Sequence, residues 1–251
     1  MTEGSLSGRV ALVTGAASGI GAGIADLFAR HGAHVFILDV NVAGAKATAE
    51  AIQAGGGSAF WFDADVRRPE SLAPVVEAAL ARFGRIDALI NNAGVYPRHS
   101  FLEMTAEQWD AIQDVNVKGI FHATKLVLPH MVRRRSGYIV NISSVTFLRG
   151  STNLTHYIAS KGAVIGFTRA LAREMGEHNI HVNAITPGAV EVEAEKALAT
   201  QEQLDAIVVQ QCLQRRIVPL DIANVCLFLC CGLGDGMTGQ TLNVDGGWAM
   251  Y

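Results

Sequence analysis

The sequence carries no excess of positive charge. Its 20 Lys and Arg residues are matched by 23 Asp and Glu residues, which leaves a formal net charge of -3 at pH 7. A chain that binds a nucleic-acid backbone or an anionic membrane surface through its overall charge needs a basic surplus. Nucleic acid is therefore not an expected partner.

Long apolar runs and paired cysteines are also missing. The longest apolar stretch, 225–231, is far shorter than a bilayer span of about 20 residues, and residues 1–9 lack the pattern of a signal peptide. No histidine set with metal-ligand spacing accompanies the four cysteines, which all lie late in the chain: Cys212, Cys226, Cys230 and Cys231. We expect a protein of the reducing cytoplasm, with no disulfide framework, no metal site and no membrane association.

Short apolar runs alternate with longer segments of helical period along the whole chain. Near-continuous hydrophobicity in such runs is typical of strands that helices cover on both faces. The pattern predicts an α/β fold: one Rossmann-type, doubly wound parallel sheet of about seven strands with helices on both faces. The predicted strands are 10–13, 35–38, 59–62, 88–90, 138–142, 182–185 and 241–244.

No linker or repeat divides this pattern, so we expect a single domain over 1–251. One irregular, charged stretch at 189–216 follows a strand end, where ligands bind in such sheets. It is either a substrate lid or an ordinary pair of surface helices.

A glycine-rich turn follows the first predicted strand and opens a helix. Glycines there permit a tight turn and bring backbone N–H groups close to a pyrophosphate at the helix N-terminus. The residues predicted to bind a dinucleotide are Gly15, Ser18, Gly19, Ile20 and Gly21.

Asp39 ends the second predicted strand, where a carboxylate accepts hydrogen bonds from ribose hydroxyls and repels a 2′-phosphate. No Lys or Arg within the glycine turn or directly after Asp39 compensates that charge. These features favour NAD over NADP.

Tyr157 and Lys161 have the spacing that puts two side chains one turn apart on one helix face. Ser144 closes the fifth predicted strand and 91–94 closes the fourth, so both meet the glycine turn at one edge of the sheet. Asn116 joins this set more weakly, from the helical stretch between those strands.

With these motifs the sequence resembles the classical short-chain dehydrogenase/reductase family over nearly its whole length. The resemblance implies that Lys161 holds the nicotinamide ribose and that Asn116 supports a water in a proton path. It also implies cofactor contacts from Asp65 and Val66 at the adenine, from Asn92, Ala93 and Gly94 along the cofactor, and from Pro187, Gly188 and Val190 near the nicotinamide. Because nearby cations favour phenolate, we expect Tyr157 to exchange the proton with the substrate oxygen while Ser144 hydrogen-bonds that oxygen.

The substrate is a small alcohol or carbonyl compound under this interpretation. The aromatic and apolar side chains near the motifs suggest a pocket for a flat substrate, although ordinary core packing explains them equally well. The sequence is similar to NAD-dependent dehydrogenases of aromatic alcohols, of the phenylethanol or pyridoxal type. The predicted pocket residues are Tyr96, Ser144, Thr146, Phe147, Leu154 and Tyr157.

Two other functions stay open: an NADPH-dependent 3-oxoacyl-carrier ketoreductase and a nucleotide-binding module without turnover. Asp39 argues against the first, although the arginine run 133–135 offers either a docking patch for an acidic carrier or a solvated helix end. Val192 stands where family members often have a threonine on the nicotinamide carboxamide, which puts that contact in doubt. The resemblance implies a homotetramer that pairs the long helices before and after Ser144.

Overall fold

The fold is described from a computed structural model, which covers residues 5–193 and 200–250. One sheet of parallel strands forms the centre, in the order β3-β2-β1-β4-β5-β6-β7. The strands are β1 Val10–Thr14, β2 His34–Asp39, β3 Ser58–Asp63, β4 Ala88–Asn91, β5 Gly137–Ile142, β6 Ile180–Pro187 and β7 Thr241–Val244.

Helices connect these strands and cover both faces of the sheet. They are α1 Gly19–Arg30, α2 Val42–Ala54, α3 Pro69–Phe83, α4 Ala106–Gln113, α5 Gly119–Arg134, α6 Thr146–Arg149, α7 Thr155–Met175, α8 Gln201–Val209 and α9 Pro219–Cys230. A π-helical turn, Asp114–Lys118, joins α4 to α5, and a 3-10 turn, Gly176–His178, follows α7.

The apolar core lies in two layers, one on each face of the sheet. On one face α1 packs on α9, so closely that a Cβ atom at Gly23 would lie 2.8 Å from Pro219 Cβ. On the other face α3 and α5 bury residues such as Val75 and Met131 against the strands. Strand β5 is buried along its whole length, which explains why its residues other than Asn141 are apolar or aromatic.

The predicted architecture is confirmed. The strand order reverses between β1 and β4, and this switch point brings the carboxyl ends of those two strands side by side. In open α/β sheets the ligand crevice lies at such a point.

The segment predicted as a lid, 189–216, lies partly outside the described residues, since 194–199 are not among them. Its two ends are held together: Val190 and Ile217 form an isolated parallel bridge, and Arg216 Nη2 donates to Ala189 O at 3.4 Å. α8 lies between them. Movement of this segment stays a prediction.

Across residues 5–193 and 200–250, no helix is long and apolar enough to cross a membrane. The same residues contain no group of three or more His, Cys, Asp or Glu side chains placed to hold a metal ion. The four cysteines are free thiols.

Candidate active site

The turn between β1 and α1 requires glycine at defined positions. Gly15 has φ +65°, and a Cβ atom there would lie 2.7 Å from Ala93 Cα. A Cβ atom at Gly21 would overlap the Gly15 carbonyl oxygen. The Ser18 side chain makes no capping hydrogen bond to α1, so the first N–H groups of the helix remain available to an anion. Ile20 packs against the core and anchors the turn.

Hydrogen bonds join this turn to the loop after β4. Asn92 Nδ2 donates to Thr14 O at 3.0 Å and to Gly15 O at 2.9 Å. Thr14 Oγ1 accepts from the backbone N–H groups of Asn92 and Ala93, each at 3.0 Å. The two predicted cofactor loops therefore form one hydrogen-bonded unit across the switch point.

The Asp39 carboxylate lies against the same turn. Its Oδ2 accepts from Ala17 N at 2.9 Å, and its Oδ1 accepts from Asn41 N at 2.9 Å. A full negative charge is thus held at the end of β2 by backbone donors.

Asp65 and Val66 lie after β3, and both are buried. Arg67 bonds the Asp65 carboxylate, with Nη2 2.6 Å from Oδ2, and this hydrogen bond holds the pKa of Asp65 below its ordinary value. Val66 O is 3.0 Å from the Nδ1 atom of His122. The Asp65 carboxylate therefore forms an ion pair with Arg67.

Helix α7 carries Tyr157 and Lys161, as the spacing predicts. Lys161 Nζ lies 5.6 Å from the centre of the Tyr157 ring and donates to Ile142 O, the last residue of β5, at 2.8 Å. Ser144 follows β5, is 8% exposed and hydrogen-bonds Tyr157 through its hydroxyl group. The structure therefore brings the predicted phenol, ammonium and hydroxyl groups together.

Burial shapes the acid-base properties of this group. It raises the pKa of Tyr157 to about 12, while the hydrogen bond from Ser144 acts in the opposite direction. Burial also lowers the pKa of Lys161 to about 8. A charged Lys161 favours the phenolate form of Tyr157, so protonation of the lysine and ionisation of the phenol support each other.

Asn116 lies in the π-helical turn and is fully buried. Its Nδ2 donates to Val95 O at 3.0 Å and its Oδ1 accepts from Val95 N at 2.9 Å. The Nδ2 group also donates to Ser160 Oγ at 3.0 Å. Asn116 thus connects the loop after β4 to α7, and the implied water path stays a prediction. At Gly94 a Cβ atom would lie 3.4 Å from both Asn116 Oδ1 and Lys161 Nζ.

The predicted pocket residues occupy different environments. The Tyr96 ring centre lies 6.0 Å from that of Tyr157, at the reacting centre. Thr146 bonds the Ser144 hydroxyl, and Leu154 is buried. Phe147 instead packs on α7, where a Cβ atom at Gly162 would lie 2.9 Å from its ring, and it is 43% exposed. Tyr96 therefore neighbours Tyr157, and Thr146 neighbours Ser144.

The end of β6 completes the site. Pro187 O accepts from Val145 N at 3.0 Å, which ties β6 to the residue after Ser144. A Cβ atom at Gly188 would lie 2.7 Å from Asp245 Cβ, so glycine is needed for this close approach. Val190 is buried beyond it.

The Val192 side chain lies over the glycine turn, where a Cβ atom at Gly19 would be 3.2 Å from Val192 Cγ1. The chain after β6 thus reaches the glycine turn between β1 and α1. The doubt about the nicotinamide carboxamide contact at this position stands.

Sequence reasoning missed three hydroxyl groups that organise the site. Thr14 joins the two loops, Ser143 Oγ donates to Lys161 O at 2.8 Å, and Ser160 Oγ donates to Tyr157 O at 2.6 Å. Each directly precedes a residue that the sequence did single out. For Ser160 the sequence held a signal, because a serine inside a helix often bonds the carbonyl group of the preceding turn, whereas Thr14 and Ser143 bond groups 78 and 18 residues away.

Comparison with known proteins agrees with this geometry. A family model described as "Enoyl-(Acyl carrier protein) reductase" matches residues 15–249. A 3-oxoacyl-(acyl-carrier-protein) reductase of Chlamydia muridarum is 39% identical over 248 residues, which are 97% of this chain and 98% of that protein. A reductase of the same description from Thermotoga maritima is 38% identical over 242 residues, covering 96% and 98% of the two chains. A "Probable galactose dehydrogenase" of Rhizobium meliloti is 38% identical over 244 residues, covering 96% and 95%. The chain therefore belongs to the short-chain dehydrogenase/reductase family.

Proposed function

We propose that the protein catalyses hydride transfer between a nicotinamide cofactor and a substrate alcohol or carbonyl carbon, with Tyr157 as the acid-base group. The observation that carries this proposal is the meeting of Tyr157, Lys161 and Ser144 beside the glycine turn. The turn fits a dinucleotide, since no side chain caps the first N–H groups of α1, and Gly15 and Gly21 let the turn pack closely on the loop after β4. The bound nicotinamide supplies the hydride acceptor or donor.

Three side chains would carry out the proton transfer and the hydrogen bonding of this reaction. In reduction, Tyr157 donates its phenol proton to the substrate carbonyl oxygen while Ser144 donates a second hydrogen bond to that oxygen. In oxidation, the phenolate accepts the alcohol proton. A charged Lys161 lowers the energy of the phenolate, which matters because burial raises the pKa of Tyr157 to about 12 despite the hydrogen bond from Ser144.

The proposed cofactor is NAD rather than NADP. The support is the Asp39 carboxylate, held against the glycine turn by Ala17 N, where it would meet the adenosine ribose. Arg67, which follows β3, is already paired with the Asp65 carboxylate at 2.6 Å, so its charge is partly neutralised. The proposed cofactor site is completed by Asp65, Val66, Asn92, Ala93, Gly94, Pro187, Gly188 and Val190.

The names of the relatives favour a 3-oxoacyl thioester over an aromatic alcohol as the substrate. Two of the proteins named above are described as 3-oxoacyl-carrier reductases and one as a galactose dehydrogenase, whereas none is described as acting on an aromatic alcohol. The packing of Phe147 on Gly162 also weakens the case for an aromatic pocket. We therefore place 3-oxoacyl reduction first and aromatic alcohol oxidation second.

The arginine run gives limited support for a carrier-bound substrate. Arg134 turns inward and donates to Ile86 O at 3.1 Å and to Asp87 at 3.0 Å. Arg133 and Arg135 are exposed. A free thioester and a carrier-bound thioester should therefore be assayed separately.

A replacement of Tyr157 by Phe tests the proposal. We expect Tyr157→Phe to lower kcat by about 1,000-fold or more, because the acid-base group is removed while the ring remains. Tyr138→Phe is the matched control, since its hydroxyl bonds Asp235 2.8 Å away, outside the site. Acetoacetyl-coenzyme A, galactose and 1-phenylethanol should each be assayed with NAD(H) and NADP(H). Near-normal turnover by Tyr157→Phe would refute the mechanism, and no turnover of any compound by the wild type would favour the non-catalytic alternative.

A homotetramer is part of the proposal. Phe121 on α5 is 51% exposed, and Ala159, Ala163 and Gly166 form an exposed strip of small residues on α7. Light scattering should give four times the chain mass of 26.7 kDa. The cytoplasmic location expected from the free thiols stays a prediction.

A further inference from the structure

The Ser144 hydroxyl receives two hydrogen bonds from one neighbour. Thr146 N donates to Ser144 Oγ at 3.2 Å, and Thr146 Oγ1 donates to the same atom at 2.9 Å. A serine hydroxyl offers two acceptor lone pairs and a single proton. With both lone pairs occupied, the Ser144 oxygen has no capacity to accept a further bond, and its proton must point away from Thr146.

The Tyr157 phenol is the other hydrogen-bonding neighbour of the Ser144 hydroxyl, and this hydrogen bond lowers the pKa of Tyr157. Since Thr146 occupies both lone pairs of Ser144 Oγ, the Ser144 proton is what this hydroxyl offers to the phenol oxygen or to a substrate oxygen beside it.

We propose that Thr146 is a positioning residue that fixes Ser144 as a hydrogen-bond donor toward the reacting oxygen. The inference rests on the proposed function, because it assigns a role to Thr146 within the same acid-base group. It goes beyond the expectation that Thr146 merely lines the pocket.

The arrangement serves both directions of the reaction. A substrate carbonyl oxygen would accept from Ser144 and from neutral Tyr157, so two donors are oriented before the oxygen gains charge. In the resting site, neutral Tyr157 is prevented from donating to Ser144, and its proton stays available to the substrate.

Removal of the Thr146 hydroxyl should allow the Tyr157 phenol to donate to Ser144. In Thr146→Val the backbone N–H still occupies one lone pair of Ser144, but the second becomes free. The Tyr157 phenol can then donate to it, which stabilises the neutral phenol. The remaining donor bond from Ser144 is also weakened, because a hydroxyl that accepts fewer bonds is a poorer donor.

The first experiment measures the pKa of Tyr157 without any substrate. Protein labelled with ¹³Cζ-tyrosine is titrated in the presence of NAD⁺, and the Tyr157 signal among the four tyrosines is assigned by its loss in Tyr157→Phe. We expect Thr146→Val to raise this pKa by about half a unit to one unit, as loss of one hydrogen bond implies. Thr146→Ser keeps the hydroxyl and should titrate like the wild type. An unchanged pKa in Thr146→Val, or an equal rise in Thr146→Ser, would overturn the inference.

The second experiment is a double-mutant cycle on turnover of the best substrate among acetoacetyl-coenzyme A, galactose and 1-phenylethanol. Thr146→Val should lower kcat by about five- to tenfold with little change in KM, and shift the limb of the pH profile that follows Tyr157 to higher pH. The same replacement in a Ser144→Ala background should have no further effect, since Thr146 acts through Ser144. An equal loss in both backgrounds would contradict this role.

The two proposals fail separately. Retained turnover in Tyr157→Phe would overturn the proposed function. Loss of turnover in Tyr157→Phe, combined with an unshifted pKa in Thr146→Val, would overturn the role of Thr146 alone.

Discussion

Replacement of Asp39 by Asn tests how the site chooses its cofactor. The carboxylate accepts one backbone N–H on each oxygen, from Ala17 and from Asn41, both at 2.9 Å. Asparagine keeps the shape but has a single acceptor oxygen, so one of these N–H groups would face an amide NH₂ group. The substitution therefore removes a charge and disturbs the turn that holds the pyrophosphate.

The two effects have different sizes for the two cofactors. A lost hydrogen bond to a charged group costs about 1.5 to 3 kcal/mol, which predicts NADH binding weaker by about 10- to 150-fold. Two unit charges about 4 Å apart interact by about 4 kcal/mol near a protein surface, and screening at this partly exposed site reduces that to about 2 kcal/mol. Relief of this repulsion should narrow the preference for NADH over NADPH by about 30-fold.

Calorimetric titration with NADH and with NADPH measures both changes and needs no substrate. Asp63→Asn is the matched control, because Asp63 is the in-register neighbour of Asp39 on β3 and is exposed. It removes the same charge one strand further from the glycine turn, so we expect the cofactor ratio to change by less than about threefold. An unchanged ratio in Asp39→Asn, or an equal narrowing in Asp63→Asn, would refute the assignment of cofactor choice to Asp39.

Two further predictions concern the scaffold. Gly21→Ala should abolish detectable NADH binding in the same titration, because the added Cβ overlaps the Gly15 carbonyl oxygen. The control Gly236→Ala should bind NADH normally, since nothing lies within 4 Å of a Cβ atom there. Normal NADH binding by Gly21→Ala would contradict the prediction. Asp87→Asn should lower the free energy of unfolding by about 3 kcal/mol, because the buried carboxylate pairs with two arginines and accepts from a backbone N–H group. Urea denaturation at pH 7 measures that loss. Asp26→Asn is the control, because the exposed ion pair between Asp26 and Arg30 contributes less than about 1 kcal/mol to the free energy of unfolding. The pKa of Asp87 is lowered, so its contribution is present above the unfolded value near 3.8 and disappears as pH falls; equal losses in both variants would contradict the argument.

The fold was predictable because the central strands are buried on both faces. Apart from Asn141, the residues of β5 are apolar or aromatic for that reason, and this run identifies the strand without any tertiary information. The positions of Asp39, Ser144 and Lys161 then follow from strand ends that share one edge, together with the spacing of four on a helix.

Other features depend on contacts that no local pattern specifies. The π-helical turn around Asn116 has the same polar and apolar residues as an ordinary helix, so its extra residue cannot be read from periodicity. The ring of Phe147, a predicted pocket residue, lies on Gly162, where the absence of a side chain leaves room for it, and no local pattern indicates this contact. The substrate class depends on such packing, and sequence motifs for the cofactor and catalytic group carry little information about it.

The π-helical turn has a consequence for changes in chain length. It acts as a one-residue insertion in the helix that α4 and α5 would otherwise form, and Asn116 lies inside it. Each residue turns an α-helix by about 100°, so deletion of a single residue from Asp114–Lys118 would rotate the Asn116 amide away from Val95. Substitutions elsewhere in α4 leave this angle intact. In an alignment of the chain with its relatives, a one-residue gap in this turn therefore says as much about the position of the Asn116 amide as the identity of the residue does.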